Sequence, residues 1–94
     1  MIKSFGDRET ELLWTTGKVK KLDKQIIKRA FRKLEYIDLA SNILDLKVPP
    51  SNKLEDLIGK LQDFHSIRVN DKYRIIFRFI GSDAFDVEIT NHYK

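Results

Sequence analysis

The sequence contains no cysteine, which excludes a disulfide framework, a thiol nucleophile, a cysteine-bound zinc and an iron–sulfur cluster. Proline and glycine are scarce, two and four in 94 residues, too few for a collagen-like or low-complexity chain. No glycine loop of the kind that cradles nucleotide phosphates is present. No apolar run approaches the ~20 residues of a membrane span. The opening Met1-Ile2-Lys3-Ser4-Phe5 meets charge again at Asp7, before a signal-peptide apolar stretch could form. These absences predict a soluble, cytoplasmic protein with no membrane partner. Histidine occurs twice, at His65 and His92, too far apart in sequence to suggest a metal site, so neither metal nor cofactor is expected.

What is present is 41 % apolar residues, ten aromatics and 34 % charged residues, the balance of a small globular fold with one core. A single domain spanning 1–94 is expected. The charge is uneven. Residues 1–47 carry 11 Lys and Arg against 7 Asp and Glu, whereas 48–94 carry 7 of each, so the whole excess of +4 lies in the first half. From Lys18 to Lys33, eight cations (Lys18, Lys20, Lys21, Lys24, Lys28, Arg29, Arg32, Lys33) face one acid, Asp23. Such a block suits either a polyanion or acidic partner, or a merely solvated helix face.

Asp7 is suited to cap a short helix carrying Leu12, Leu13 and Trp14, and Gly17 to end it. A second helix is expected from Asp23, with Ile27, Ala30, Phe31, Leu34 and Ile37 on one buried face and Lys24, Lys28, Arg32 and Glu35 opposite. Pro49-Pro50-Ser51-Asn52 predicts an extended connector. From Phe64 the apolar period becomes two, predicting strands over 65–69, 73–80 and 85–90, with residues 2–5 as an N-terminal edge strand. Sharing one apolar face among odd-numbered residues requires loops with an odd number of residues, which three-residue loops at 70–72 and 81–83 satisfy. Arg68 then faces Arg74, Arg74 faces Thr90, and Arg78 faces Asp86, on an even-numbered face that also holds Glu88 and leads to His92. On this reading Arg74 is outside the core and dispensable for folding. The fold class is α+β, two N-terminal helices on an antiparallel sheet.

The Arg78 and Asp86 pair reads as structural, whereas like charges facing each other at Arg68 and Arg74 call for an anion, unless diagonal Glu88 neutralises them. His65 has core parity and reads as structural. His92, beside Tyr93 at the end of the arginine row, reads either as an ordinary chain end or as a proton-transfer group for RNA cleavage. That reaction needs a base for the 2′-hydroxyl, cations for the phosphate and an acid for the leaving oxygen.

The stretches Met1-Ile2-Lys3-Ser4-Phe5, Val48-Pro49-Pro50-Ser51-Asn52-Lys53-Leu54-Glu55, Ser66-Ile67-Arg68-Val69-Asn70-Asp71-Lys72-Tyr73-Arg74-Ile75 and Asp83-Ala84-Phe85-Asp86-Val87-Glu88-Ile89, with the His-Tyr tail, resemble the HigB toxins. These are RelE/ParE-superfamily toxins of type II toxin–antitoxin systems, also called plasmid maintenance killer proteins. The resemblance runs end to end. It implies two helices packed on a curved antiparallel sheet and a ribosome-dependent, metal-independent mRNA endonuclease. It also implies neutralisation by a HigA-like helix-turn-helix antitoxin, with operator DNA bound only through the toxin–antitoxin complex.

Carried over by position, Arg74 matches the arginine at the scissile phosphate. Arg68 assists it, His92 transfers protons and Tyr93 stacks on a base. Lys18, Lys20, Lys21, Lys24, Lys28 and Arg32 would dock on ribosomal RNA. The family tail is commonly Asp-Tyr-His, whereas this one reads Asn91-His92-Tyr93-Lys94. Some members have histidine and lysine in the segment matching 54–59, where this chain has Glu55 and Ile58, which makes Glu55 an alternative base. Readings from other classes are a non-catalytic ParE-like gyrase inhibitor and a plain RNA- or protein-binding module.

Overall fold

A computed structural model describes residues 1–91. Two helices, α1 (Arg8–Thr16) and α2 (Lys24–Leu39), precede a sheet of β1 (Glu55–Asp56), β2 (His65–Arg68), β3 (Arg74–Ile80) and β4 (Asp83–Thr90). The strands pair antiparallel in the order β1-β2-β3-β4. Both helix starts follow from side-chain capping: Asp7 accepts from the Thr10 amide and Asp23 from the Gln25 amide. Gly17 ends α1 in the left-handed region, φ 74°, which a residue with a Cβ enters only at a cost.

The core lies between the helices and one face of the sheet. Leu13, Ala30, Leu34 and Ile37 meet Ile67, Ile75, Phe77 and Val87, all fully buried. The apolar stripe of α2 is rotated from the expected one. Ile26, Ala30, Lys33, Leu34 and Ile37 are buried, whereas Ile27 and Phe31 are half-buried, Phe31 with its ring 5.4 Å from Trp14 of α1. The two helices therefore also pack on each other, which moves the α2 seam that faces the sheet. A buried threonine joins α1 to the last strand, Thr10 Oγ1 accepting from the Ile89 amide at 3.0 Å.

The sheet confirms half of the expected register. Arg68 faces Arg74 across a three-residue loop at 70–72, and Arg74 faces Thr90. The second loop differs. Ile80 pairs with Asp83 across two residues, Gly81 and Ser82, with Gly81 at positive φ as short hairpins favour. This turns the first residues of β4 over: Ala84 enters the core, and Phe85 lies on the arginine side, 5.8 Å from the Arg78 guanidinium. A bulge at Asp86, φ 54°, restores the parity by Val87. Arg78 thus pairs in register with Phe85 rather than Asp86, yet its Nε still reaches Asp86 Oδ2 at 2.8 Å. The N-terminal edge strand is reduced to two parallel bridges, Ile2 to Ala84 and Phe5 to Val87, on either side of that bulge. The other edge carries β1, a two-residue strand with no alternation to announce it.

The connector is not extended throughout. It forms two 3₁₀ turns, Ile43–Lys47 and Pro50–Asn52, with a cis Val48–Pro49 peptide between them. Fully buried Asn52 holds it, donating from Nδ2 to the Leu46 and Val48 carbonyls at 3.1 and 3.3 Å. Its Oδ1 accepts from Lys33 Nζ of α2 at 2.5 Å.

Replacing Asn52 with Ala strands two carbonyls and a buried ammonium. A loss of about 2–4 kcal/mol in urea unfolding is expected, at unchanged m. A loss under about 0.5 kcal/mol would show that the connector keeps its shape without the amide.

Candidate active site

The antiparallel register sets Arg68 directly against Arg74, an arrangement that repels and needs compensation. Each arginine receives a carboxylate. The Arg68 guanidinium pairs with Asp71 of the following turn. Arg74 Nη2 lies 3.5 Å from Glu55 Oε1, because the β1–β2 pairing puts Glu55 opposite Ser66, diagonal to Arg74 on the same face. Glu88, the alternative counterion, is diagonal to Arg74 as the register requires, facing Ile76, and lies against Gly6, where a Cβ would come within 2.8 Å of its Oε1.

Arg74 is only 7 % exposed, so the expectation of a solvent position outside the packed interior is wrong. Its Nε donates to Ser66 Oγ at 2.8 Å and its Nη2 to the Lys53 carbonyl at 2.6 Å. The connector crosses this end of the even face and covers it, which parity alone does not reveal. Lys53 sits in the left-handed region, φ 45°, a conformation that costs a lysine energy and is held by its surroundings. The strained turn delivers the carbonyl that orients the guanidinium. Ser66 and Lys53 are the two positions the sequence reading missed. Ser66 was within reach, since its even number puts it diagonal to Arg74.

The structure thus joins Arg68, Arg74 and Glu55. His92 and Tyr93 lie outside the described residues. His65 occupies the opposite side, its Nδ1 2.7 Å from Asp56 Oδ1 and its ring against Phe77, in keeping with a structural role. Lys18, Lys20 and Lys21 are exposed in the α1–α2 loop, and Lys24, Lys28 and Arg32 are exposed on α2. They form a separate basic surface, of which only Arg32 borders a cavity shared with Arg68. A guanidinium fixed by neutral acceptors, with a half-exposed carboxylate beside it, can exchange that carboxylate for phosphate oxygens.

Arg74→Ala is expected to cost about 1–3 kcal/mol by leaving the Ser66 hydroxyl and the Lys53 carbonyl short of a donor. Unchanged thermal stability would contradict the anchoring role. A second expectation concerns Glu88, whose carboxyl is pushed up first by burial and then by Asp7. A raised folded value favours the protonated form, so this contribution to stability is complete below the ordinary glutamate range and is lost as pH rises through the folded value. Glu88→Gln should therefore melt higher than the parent at neutral pH, and the gain should vanish on acidification. A gain independent of pH would rule out the carboxyl as its source.

Comparisons with known proteins identify the family. Residues 3–93 match the family model of the RelE-like toxin of the type II toxin–antitoxin system HigB. The chain is 38 % identical over 93 residues to Toxin HigB-1 of Vibrio cholerae, covering 98 % of each chain. It is 36 % identical over 72 residues to a protein of Haemophilus influenzae, covering 77 % of this chain and 71 % of that one. It is 35 % identical over 85 residues to Endoribonuclease HigB of Proteus vulgaris, covering 90 % of this chain and 91 % of that one. With its two helices on an antiparallel sheet and a family match over nearly its whole length, the chain belongs to the HigB-like family of RelE-like toxins, the toxin half of type II toxin–antitoxin systems.

Proposed function

We propose that the chain is a ribosome-dependent mRNA endonuclease that arrests translation in the cytoplasm and is silenced by a HigA-like helix-turn-helix antitoxin. The observation that carries this reading is Arg74, held by Ser66 Oγ and the Lys53 carbonyl, with half-exposed Glu55 as its exchangeable counterion. The name of the Proteus vulgaris relative, Endoribonuclease HigB, supports the reaction class.

In this mechanism the scissile phosphate displaces Glu55 from Arg74, and Arg68 gives up Asp71 to take a second phosphate oxygen. A base removes the 2′-hydroxyl proton, the oxygen attacks phosphorus, and the P–O5′ bond breaks. The two guanidinium groups stabilise the charge gathering on the non-bridging oxygens. An acid protonates the departing 5′-oxygen. The products are a 2′,3′-cyclic phosphate and a 5′-hydroxyl end. His92 and the displaced Glu55 are the two proton-transfer groups, and Tyr93 stacks on a flanking base. Side chains supply each of these roles, so the reaction is expected to run in the presence of a chelator. The exposed cations Lys18, Lys20, Lys21, Lys24, Lys28 and Arg32 contact ribosomal RNA phosphates, giving affinity without sequence choice.

Cleavage on translating ribosomes, read by mapping mRNA ends, tests the proposal. His92→Gln should slow it by roughly 10²–10⁴-fold and leave ribosome binding intact. Glu55→Gln should also slow cleavage while leaving the melting temperature nearly unchanged. Arg74→Lys should be poor, because an ammonium is a single point where phosphate needs a fork. Reversing Lys24 and Lys28 to Glu should flatten the salt dependence of ribosome binding. Growth arrest without any mRNA cleavage, accompanied by blocked DNA gyrase, would overturn the nuclease reading.

A further inference from the structure

The strongest feature outside the Arg74 site is a cavity of about 370 Å³ between α2, the 49–51 stretch of the connector and the end of β2. Arg29, Arg32, Lys33 and Arg68 line it, together with Tyr36 and Ser51, and among the described residues no acidic side chain does. The helix builds three of these cations into one stripe. Positions 29, 32, 33 and 36 are spaced three and four apart and so rise on a single face.

This is an expensive arrangement for a protein to keep. Lys33 is 7 % exposed, pinned to Asn52, with its Nζ also 5.6 Å from the Tyr36 ring centre. Burial lowers its pKa first, and the positive charges of Arg29 and Arg68 lower it further. Among the described residues, the ion pairs leave Arg29 and Arg32 without a carboxylate, and Arg68 has only the fully exposed Asp71. Four converging cations around a cleft are balanced when an anion enters it. Guanidinium forks beside an ammonium and a hydroxyl are the donors that a phosphate group uses.

Register then selects the kind of phosphate. Arg68, at the rim of this cavity, faces Arg74 across the β2–β3 pair. Facing Cα atoms of antiparallel strands are only about 4.5–5.5 Å apart, so the two arginine sites are neighbours. A polyanionic strand can fill both at once, whereas a lone small anion fills one. We propose that this cavity is a second phosphate site, taking a backbone phosphodiester of the RNA strand next to the one held at Arg74. The assignment rests on the RNA-cleaving reading and adds Arg29 and Lys33 to it. It gives Arg68 a bridging position between the two phosphates. Tyr36 and Pro49 supply the apolar wall against which the attached ribose or base lies.

The test uses the full chain and a short 2′-O-methyl oligouridine, which lacks the attacking hydroxyl and cannot be cleaved. Arg29 is the residue to change, because it is exposed and makes no contact that the core needs. Arg29→Glu should melt no lower than wild type, since it relieves repulsion on Lys33. In fluorescence anisotropy it should bind the oligonucleotide at least tenfold more weakly. The slope of log affinity against log salt should fall by about one unit, and Arg29→Lys should recover most of the loss. Equal affinity and slope for Arg29→Glu would overturn the proposal. So would inorganic pyrophosphate raising the melting temperature through Arg29 while RNA binding ignores it, since the cavity would then be a small-anion site. The nuclease reading fails separately: a chain that binds the oligonucleotide through Arg29 but cleaves nothing on ribosomes keeps this site and loses the activity.

Discussion

A single buried ammonium organises the end of the molecule where the chemistry is proposed. Lys33 projects from the core side of α2 and is held by the Asn52 side chain, which in turn gathers the Leu46 and Val48 carbonyls. One hydrogen bond to a charged group is worth about 1.5–3 kcal/mol. Stripping water from an ion costs several kcal/mol. The contact is therefore better understood as a constraint on shape than as a source of stability. It fixes where the connector lies, and the connector fixes the Lys53 carbonyl. That carbonyl fixes Arg74, and β1, two residues further on, brings up Glu55. Much of the site descends from one lysine–asparagine contact whose members lie 22 and 41 residues before Arg74 in sequence.

The same end of the molecule carries the backbone departures that a freer chain would avoid. Lys53 and Asp86 are the non-glycine residues at positive φ among those described, and both serve the arginine face. The first aims a carbonyl at Arg74. The second is the bulge that brings β4 back into register after Phe85 has turned outward over Arg78. Strain of this kind persists where surrounding contacts overdetermine the backbone. Here those contacts are the Arg74 hydrogen bonds in one case and the paired N-terminal segment in the other, where Ser4 Oγ accepts from the Asp86 amide.

Features set by short-range chemistry were legible in the sequence. Asp7, Asp23 and Gly17 bound the helices as their chemistry dictates, and alternation located β2 to β4 and put Arg68 against Arg74. The expectations that failed depend on what one element does to another. The packing of Trp14 on Phe31 rotated the α2 stripe and brought Lys33 inward. A two-residue turn replaced a three-residue one, and a bulge absorbed the difference, so Ala84 rather than Phe85 reached the core. A two-residue strand such as β1 has no period to read. For the site, the facing arginines came from parity, whereas the role of Glu55 came from resemblance. The covering of Arg74 by the connector came from neither, because nothing local to Lys53 or Ser66 announces that they will meet.

The distribution of exposure among the counterions supports the proposed reading, in which phosphate displaces carboxylates from the two arginines. Arg74 and Arg68 are the shielded members of their pairs, with side chains 9 % and 30 % exposed, and Glu55 and Asp71 are the solvated ones, at 53 % and 98 %. Solvated carboxylates lose little by moving back into water, and each pair in that setting contributes at most about 1 kcal/mol. The arginines gain more from phosphate, which offers two oxygens to each fork. The carboxylates thus hold down the repulsion between facing guanidinium groups without competing strongly for them. Had the burial been reversed, with shielded acids and exposed arginines, displacement would leave charged carboxylates stranded and the face would be inert. The order found here, shielded cations and solvated anions, is the order that favours polyanion binding.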